Sequence, residues 1–192
     1  FSMHEPYRSY AGYFNVHTVF QPSTSLIGNC GAAGSVYGAR ICTTQVPAVP
    51  ILSAAGAAQV ARDIACAPDV EPGAVILLMN TSEYGGIALP DTYGIATTNP
   101  VSPAGASSTR WRHPWVAIHE LGHAFGNLGD EYPGTGSAPI TGPDSRWANI
   151  TYRRGGTMPA KWSHWAGSVP NGWLVGGGGF ATGSFHPTQN CM

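Results

Sequence analysis

Apolar and polar positions along the chain form a few regular segments separated by long aperiodic stretches. Tyr13–Phe20 is rich in β-branched and aromatic residues and ends at Gln21-Pro22-Ser23, which predicts a strand. Asn29–Arg40 is rich in glycine and alanine and is expected to be irregular. Ser53–Cys66 opens on a capping serine and continues as an alanine-rich run with Val60 and Ile64 on one face, the pattern of a helix. Gly73–Asn80 is an uninterrupted apolar run, which predicts a central strand covered on both faces. Thr92–Thr98 follows as edge-strand material, and Asn99–Thr109 is a Pro/Ser/Gly/Ala linker. Trp115, Ile118, Leu121 and Phe125 recur at helical steps behind Pro114, and Gly126 and Gly129 permit a sharp exit, so a helix is predicted from about His113 to Phe125. Beyond Tyr132 one short helix is expected near Pro159–Trp165. This order implies an α/β (α+β) fold in a single domain over 1–192, with a sheet-and-helix upper part over about 1–126 and a loop-rich lower part over about 127–192.

Composition narrows the class. At 192 residues, 43% of them hydrophobic, the chain can bury a core of its own. A formal net charge of −1 offers no basic field, which argues against nucleic acid and anionic membranes as partners. No apolar run approaches the roughly 18–20 residues needed to span a bilayer. Lys161 is the sole lysine. The chain begins at Phe1 and is read as a processed or trimmed product. Cys30, Cys42, Cys66 and Cys191 form no CxxC pair; an even set in a loop-rich domain points to disulfides and a secreted, extracellular protein. The expected pairs are Cys30–Cys42, closing a local loop, and Cys66–Cys191, tying a helix end to the C-terminal segment.

The chemistry is concentrated in His119-Glu120-Leu121-Gly122-His123, with Asp130-Glu131-Tyr132 shortly after. On a helix, His119 and His123 project from one face and can grip a single cation, and Glu120 can reach a water on it. A Zn²⁺ with three protein ligands keeps an open position and acidifies the water bound there, the core of a zinc hydrolase acting on a peptide carbonyl. A turn after the helix brings back Asp130, the expected third ligand, with Glu131 open as the alternative. Tyr84-Gly85-Gly86, just past the buried strand, is the expected contact for an extended peptide, because glycine lets backbone approach closely. A simple tight turn is the competing reading of those glycines. His4, His17 and His113 are read as non-ligands, and Trp147, Trp162, Trp165 and Trp173 as core. Asn80-Thr-Ser and Asn149-Ile-Thr fit the glycosylation sequon.

Several segments together resemble the IgA-peptidase family of secreted bacterial zinc peptidases, of the metzincin-like clan. They are Glu5-Pro-Tyr-Arg-Ser-Tyr10, Phe14-Asn-Val, Met79-Asn-Thr-Ser-Glu-Tyr-Gly-Gly86, the run from His119 to Tyr132, Lys161-Trp-Ser-His-Trp165 and Phe185 to Met192. The resemblance implies a metzincin-like fold, with a twisted mixed sheet whose edge strand lines the substrate cleft, an active-site helix and a Met-containing turn beneath one catalytic zinc. It assigns His119 and His123 as zinc ligands, Glu120 as general base and Asp130 as the acidic ligand. Asp130 stands one residue beyond the usual metzincin spacing, which falls on Gly129. Met192 matches the Met-turn, with Met158 as the fallback. The leading expectation is a secreted, monomeric zinc endopeptidase acting on polypeptides. The alternatives are a catalytically silent module of the same scaffold that binds protein or glycan, and an intracellular metal enzyme of another class, which free thiols would favour.

Overall fold

A computed structural model describes residues 7–24, 35–42, 49–66, 72–79, 85–88, 93–97, 114–131, 147–151, 160–165, 174–176 and 185–187. The chain divides into two compact units, Phe1–Leu121 and Gly122–Met192. The first holds a 3₁₀ turn at Ala11–Tyr13, strands β1 (Arg40–Cys42) and β2 (Val49–Ile51), helix α1 (Ala54–Ala65), and strands β3 (Val75–Met79), β4 (Gly86–Ala88) and β5 (Tyr93–Thr97). Helix α2 (Pro114–Gly126) follows, then a 3₁₀ helix at Ala160–Trp165 and strands β6 (Leu174–Gly176) and β7 (Phe185–Pro187). Both long helices match their sequence expectations to within a residue or two, and the segment near Pro159–Trp165 takes the tighter 3₁₀ form. The architecture is α+β.

The sheet that matters for the site is mixed, in the order β3-β5-β4, with β3 parallel and β4 antiparallel to β5. Its register sorts the side chains by size. Leu77, Ile95 and Ile87 stand abreast on one face and, with Met79, Leu52 and Ala39, form the hydrophobic core. Met79 and Ile95 are almost fully buried, worth about 1.5–3 kcal/mol each. The alternate positions on β4 and β5 are small: Gly86 pairs with Ala96, and Ala88 with Gly94. A large residue on one face and a small one on the other lets a helix lie close against the second.

Three strand expectations are corrected here. The apolar run Gly73–Asn80 does form β3, but at the edge of this sheet, with Leu78 57% exposed. Thr92–Thr98, expected at an edge, supplies the central strand, and Gly94, Ile95 and Ala96 are buried. A short apolar run does not say how many neighbours a strand has, and the glycine and alanine of β5 conceal a central position behind weak strand propensity. Tyr13–Phe20 makes no ladder among the described residues: Tyr13 ends the 3₁₀ turn, and both Tyr13 and Phe20 are 86% exposed. High β propensity alone does not make a strand.

Helix α1 is fixed at both ends. The Ser53 hydroxyl accepts the Gly56 N–H at 3.0 Å, and the Cys66 N–H closes the last turn on the Arg62 carbonyl. Gly56 is buried because the Tyr37 backbone passes against it; a Cβ there would lie 1.6 Å from the Tyr37 carbonyl oxygen. The Cys66–Cys191 bridge is not formed, since Cys66 is an exposed, free thiol at the C-cap of α1. Cys30, Cys191, Met158 and Met192 lie outside the described residues. No helix among the described residues is long and apolar enough to cross a membrane.

Tyr37 also clips onto α1 by its side chain, its hydroxyl donating to Asp63 Oδ2 at 2.8 Å while Gln59 donates to Oδ1 at 2.8 Å. Burial, and then the Asp63 carboxylate through its hydrogen bond and charge, push the Tyr37 phenol from 10.0 up to about 12. The folded state therefore holds this proton more tightly than the unfolded chain. Its stabilising contribution is intact below pH 10 and is lost as pH rises through the window from 10.0 to about 12. Ultraviolet difference titration should show one tyrosine ionising late, and Asp63→Asn should bring part of that shift back. A titration curve unchanged in Tyr37→Phe would refute this.

Candidate metal centre

Helix α2 carries three chemically distinct side chains within five residues. His119 and His123 share a face one turn apart, and the Glu120 carboxylate lies against β4 at Gly86. His119 is exposed, whereas Glu120 and His123 are buried, at 4% and 8%.

Glu120 is buried because the floor beneath it is made of glycine. A Cβ on Gly86 would fall 2.2 Å from Glu120 Oε1 and 2.6 Å from Val116 Cγ1. One on Gly94 would fall 3.1 Å from Glu120 Cβ. The helix thus rests on β4 and β5 through two missing side chains, and its carboxylate lies beside the edge strand of the sheet. Gly86 thus serves the close approach of the helix to β4. Tyr84 lies outside the described residues.

The exit from α2 brings the third group into place. Asn127 adopts φ +49°, the left-handed conformation that ends many helices, and the Leu128 N–H donates to the Gly122 carbonyl at 3.2 Å. The sequence had offered Gly126 and Gly129 for this turn, but asparagine tolerates that conformation and takes it here. Gly129 is needed for space instead: a Cβ would meet Ile150 Cδ1 at 2.6 Å and Trp147 Cγ at 2.7 Å.

His123 Nδ1 lies 2.5 Å from the Leu128 carbonyl oxygen. A carbonyl only accepts, so Nδ1 carries the proton, and in the neutral ring Nε2 presents its lone pair. Nε2 faces Asp130 Oδ1 at 3.3 Å. Two acceptors facing each other at that distance call for a cation or an extra proton between them. The separation is close to the edge of a tetrahedron drawn around zinc with bonds of about 2.0–2.1 Å, roughly 3.3 Å. The ligand atoms of His119, His123 and Asp130 all lie within 4.8 Å of one another. Two imidazoles and one carboxylate are the donor set of an open zinc site, and the residues present fit that ion.

Glu131, the alternative third ligand, is held elsewhere, its Oε1 accepting from Asn149 Nδ2 at 3.1 Å. Asn149 escaped the sequence reading as anything but a sequon. A lone asparagine far along the chain carries no local signal of the loop it grips.

The glycine floor yields a stability prediction. Gly86→Ala should cost on the order of 1–3 kcal/mol in urea unfolding, as overpacking against a fixed helix does. Gly12→Ala, whose Cβ would meet nothing within 4 Å, should stay within about 0.5 kcal/mol of the parent. Equal stability of the two variants would count against the close contact.

A model of the family described as IgA Peptidase M64 matches residues 1–174. No curated protein matches the chain.

Proposed function

This chain belongs to the IgA peptidase M64 family, and from that premise we propose that it is a secreted zinc-dependent endopeptidase with Glu120 as general base. The observation that carries this reading is the convergence of His119, His123 and Asp130 ligand atoms within 4.8 Å, with the buried carboxylate of Glu120 on the same helix. His119, His123 and Asp130 would hold the ion. Bound there, Zn²⁺ supplies a Lewis acid for the peptide carbonyl and lowers the pKa of water toward neutrality.

The rest of the chemistry belongs to the chain. Leu128 fixes the His123 tautomer through Nδ1, leaving Nε2 as the ligating atom. Glu120 takes the proton from the attacking water and returns it to the leaving amine. Its carboxylate is set against β4, so a substrate strand laid along β4 would bring its scissile bond to that carboxylate. Burial of Glu120 keeps the transferred proton from bulk water. The monomeric state and the extracellular location are part of this proposal, as is the metzincin-like arrangement beyond the described sheet and helices.

The direct test is hydrolysis of casein, an unstructured protein substrate, with the zinc content of each preparation measured alongside. Wild type should cleave and carry one zinc. Glu120→Gln should keep its zinc and lose about 10²–10⁴-fold in kcat. Wild type that holds zinc and cleaves no unfolded protein would instead favour the silent binding module. A wild type that binds no zinc at all would end the proposal.

The third ligand has its own test. Asp130→Asn should lower zinc affinity by well over tenfold. Glu131→Gln, which keeps an acceptor for Asn149, should retain zinc. The reverse pattern would place Glu131 on the metal.

A further inference from the structure

Asp130 sits on a short segment that α2 alone does not hold. After the left-handed turn at Asn127 the chain runs out through Leu128 and Gly129 to Glu131 with no ladder of its own. What holds it is the stretch 147–150. The Ala148 N–H donates to the Asn127 carbonyl at 3.0 Å. The Asn149 side chain then grips Gly129 by both its backbone polar groups, Oδ1 accepting the Gly129 N–H at 2.7 Å and Nδ2 donating to the Gly129 carbonyl at 2.8 Å. The same Nδ2 reaches Glu131 Oε1 at 3.1 Å. Asn149 thereby binds the residue before Asp130 and the residue after it, but not Asp130 itself.

The stretch that carries Asn149 is in turn anchored from the 3₁₀ helix at Ala160–Trp165. The ammonium of Lys161 donates to the carbonyls of Trp147 (2.7 Å) and Ile150, on either side of Asn149. The Trp162 indole donates to the Ala148 carbonyl at 2.9 Å, and Trp162 is buried. The Lys161 ammonium also lies 5.2 Å from the centre of the Trp162 ring. The chain's sole lysine, half-buried, is thus engaged on this turn.

We propose that Asn149 is a positioning residue for the metal ligand Asp130, and that Lys161 and Trp162 set Asn149. Clamping Gly129 and Glu131 fixes the backbone on both sides of Asp130 and so sets the direction in which its carboxylate faces His123 Nε2. Holding Glu131 by its Oε1 also removes the competing carboxylate from the ion. Only an amide does both: Asn149 must accept one N–H and donate to a carbonyl and a carboxylate at once. Aspartate is isosteric but would set its second oxygen against the Gly129 carbonyl and the Glu131 carboxylate. Outer hydrogen bonds of this kind typically govern metal affinity by about 10–100-fold.

This inference rests on the zinc site proposed above, and the experiment separates the two. Zinc affinity is measured by competition with a chromophoric chelator for the wild type, Asn149→Asp and Asn149→Ser. The visible spectrum of each cobalt-loaded protein is recorded, and the fold of each metal-free protein is checked by circular dichroism. The expected result is an affinity about 10–100-fold weaker in Asn149→Asp, a smaller loss in Asn149→Ser, and an altered cobalt spectrum in both, with the metal-free fold unchanged. Variants that match the wild type in affinity and spectrum would overturn the positioning role and leave the zinc site standing. Unfolding of both variants would assign Asn149 to the fold rather than the metal, and would also overturn it. A wild type without measurable zinc or cobalt binding would remove the site itself.

Discussion

The contact on which the site depends is the one between helix α2 and the small-residue face of the sheet. Gly86 and Gly94 leave room for Glu120 and Val116 where any Cβ would collide, and the helix settles to that depth. A carboxylate is costly to bury, and the helix sets this one against β4 at Gly86. The opposite face of the same strands carries Leu77, Met79, Ile95 and Ile87, so the sheet is anchored to its core by one set of residues and opened to the helix by the alternate set. A period of two in side-chain direction does both jobs at once.

The second constraint is rotational. Once α2 is seated with Glu120 toward the sheet, the helical repeat leaves His119 and His123 on another face. The two imidazoles then need no loop to meet each other. Only the third group does, and it is delivered by a chain exit with its own local logic: Asn127 at positive φ, the Leu128 carbonyl turned onto His123 Nδ1, and Gly129 pressed against Trp147 and Ile150. The hydrogen bond from His123 to Leu128 links the two parts, since the residue that orients the imidazole is two before Asp130, the residue that faces its Nε2.

What the sequence made legible divides along the same line. Helix α2 and its histidine pair could be read directly, because the spacing of four between His119 and His123 has a geometric meaning on any helix, and so could α1 with its Ser53 cap. The edge position of Gly86 beside the site was also legible. The order of strands was not: Gly94 and Ala96 are weak strand formers, and their central place follows from what packs on them. The role of Tyr13–Phe20 was misread for the converse reason, since β-branched and aromatic residues describe a tendency and not a partner. The choice between Asp130 and Glu131 stayed open in the sequence because adjacent residues on a turn have no preferred direction until something grips one of them. That something, Asn149, comes 18 residues after Glu131, too far for any local pattern to announce it.

Asn149 also shows why a motif match has to be read through its hydrogen bonds. Asn149-Ile-Thr151 fits a glycosylation sequon, and the two neighbours that complete it, Ile150 and Thr151, are both at 0% exposure. The nitrogen that would carry the sugar is Nδ2, and here it donates to both Gly129 and Glu131. Attaching a glycan would require withdrawing that nitrogen from the loop that bears Asp130 and drawing buried residues to the surface. In the folded chain the asparagine is therefore committed to the loop. The same three residues that satisfy a surface motif on paper satisfy an interior turn in fact, and the Lys161 ammonium, donating to the carbonyls of Trp147 and Ile150 on either side of Asn149, makes the interior use the stable one.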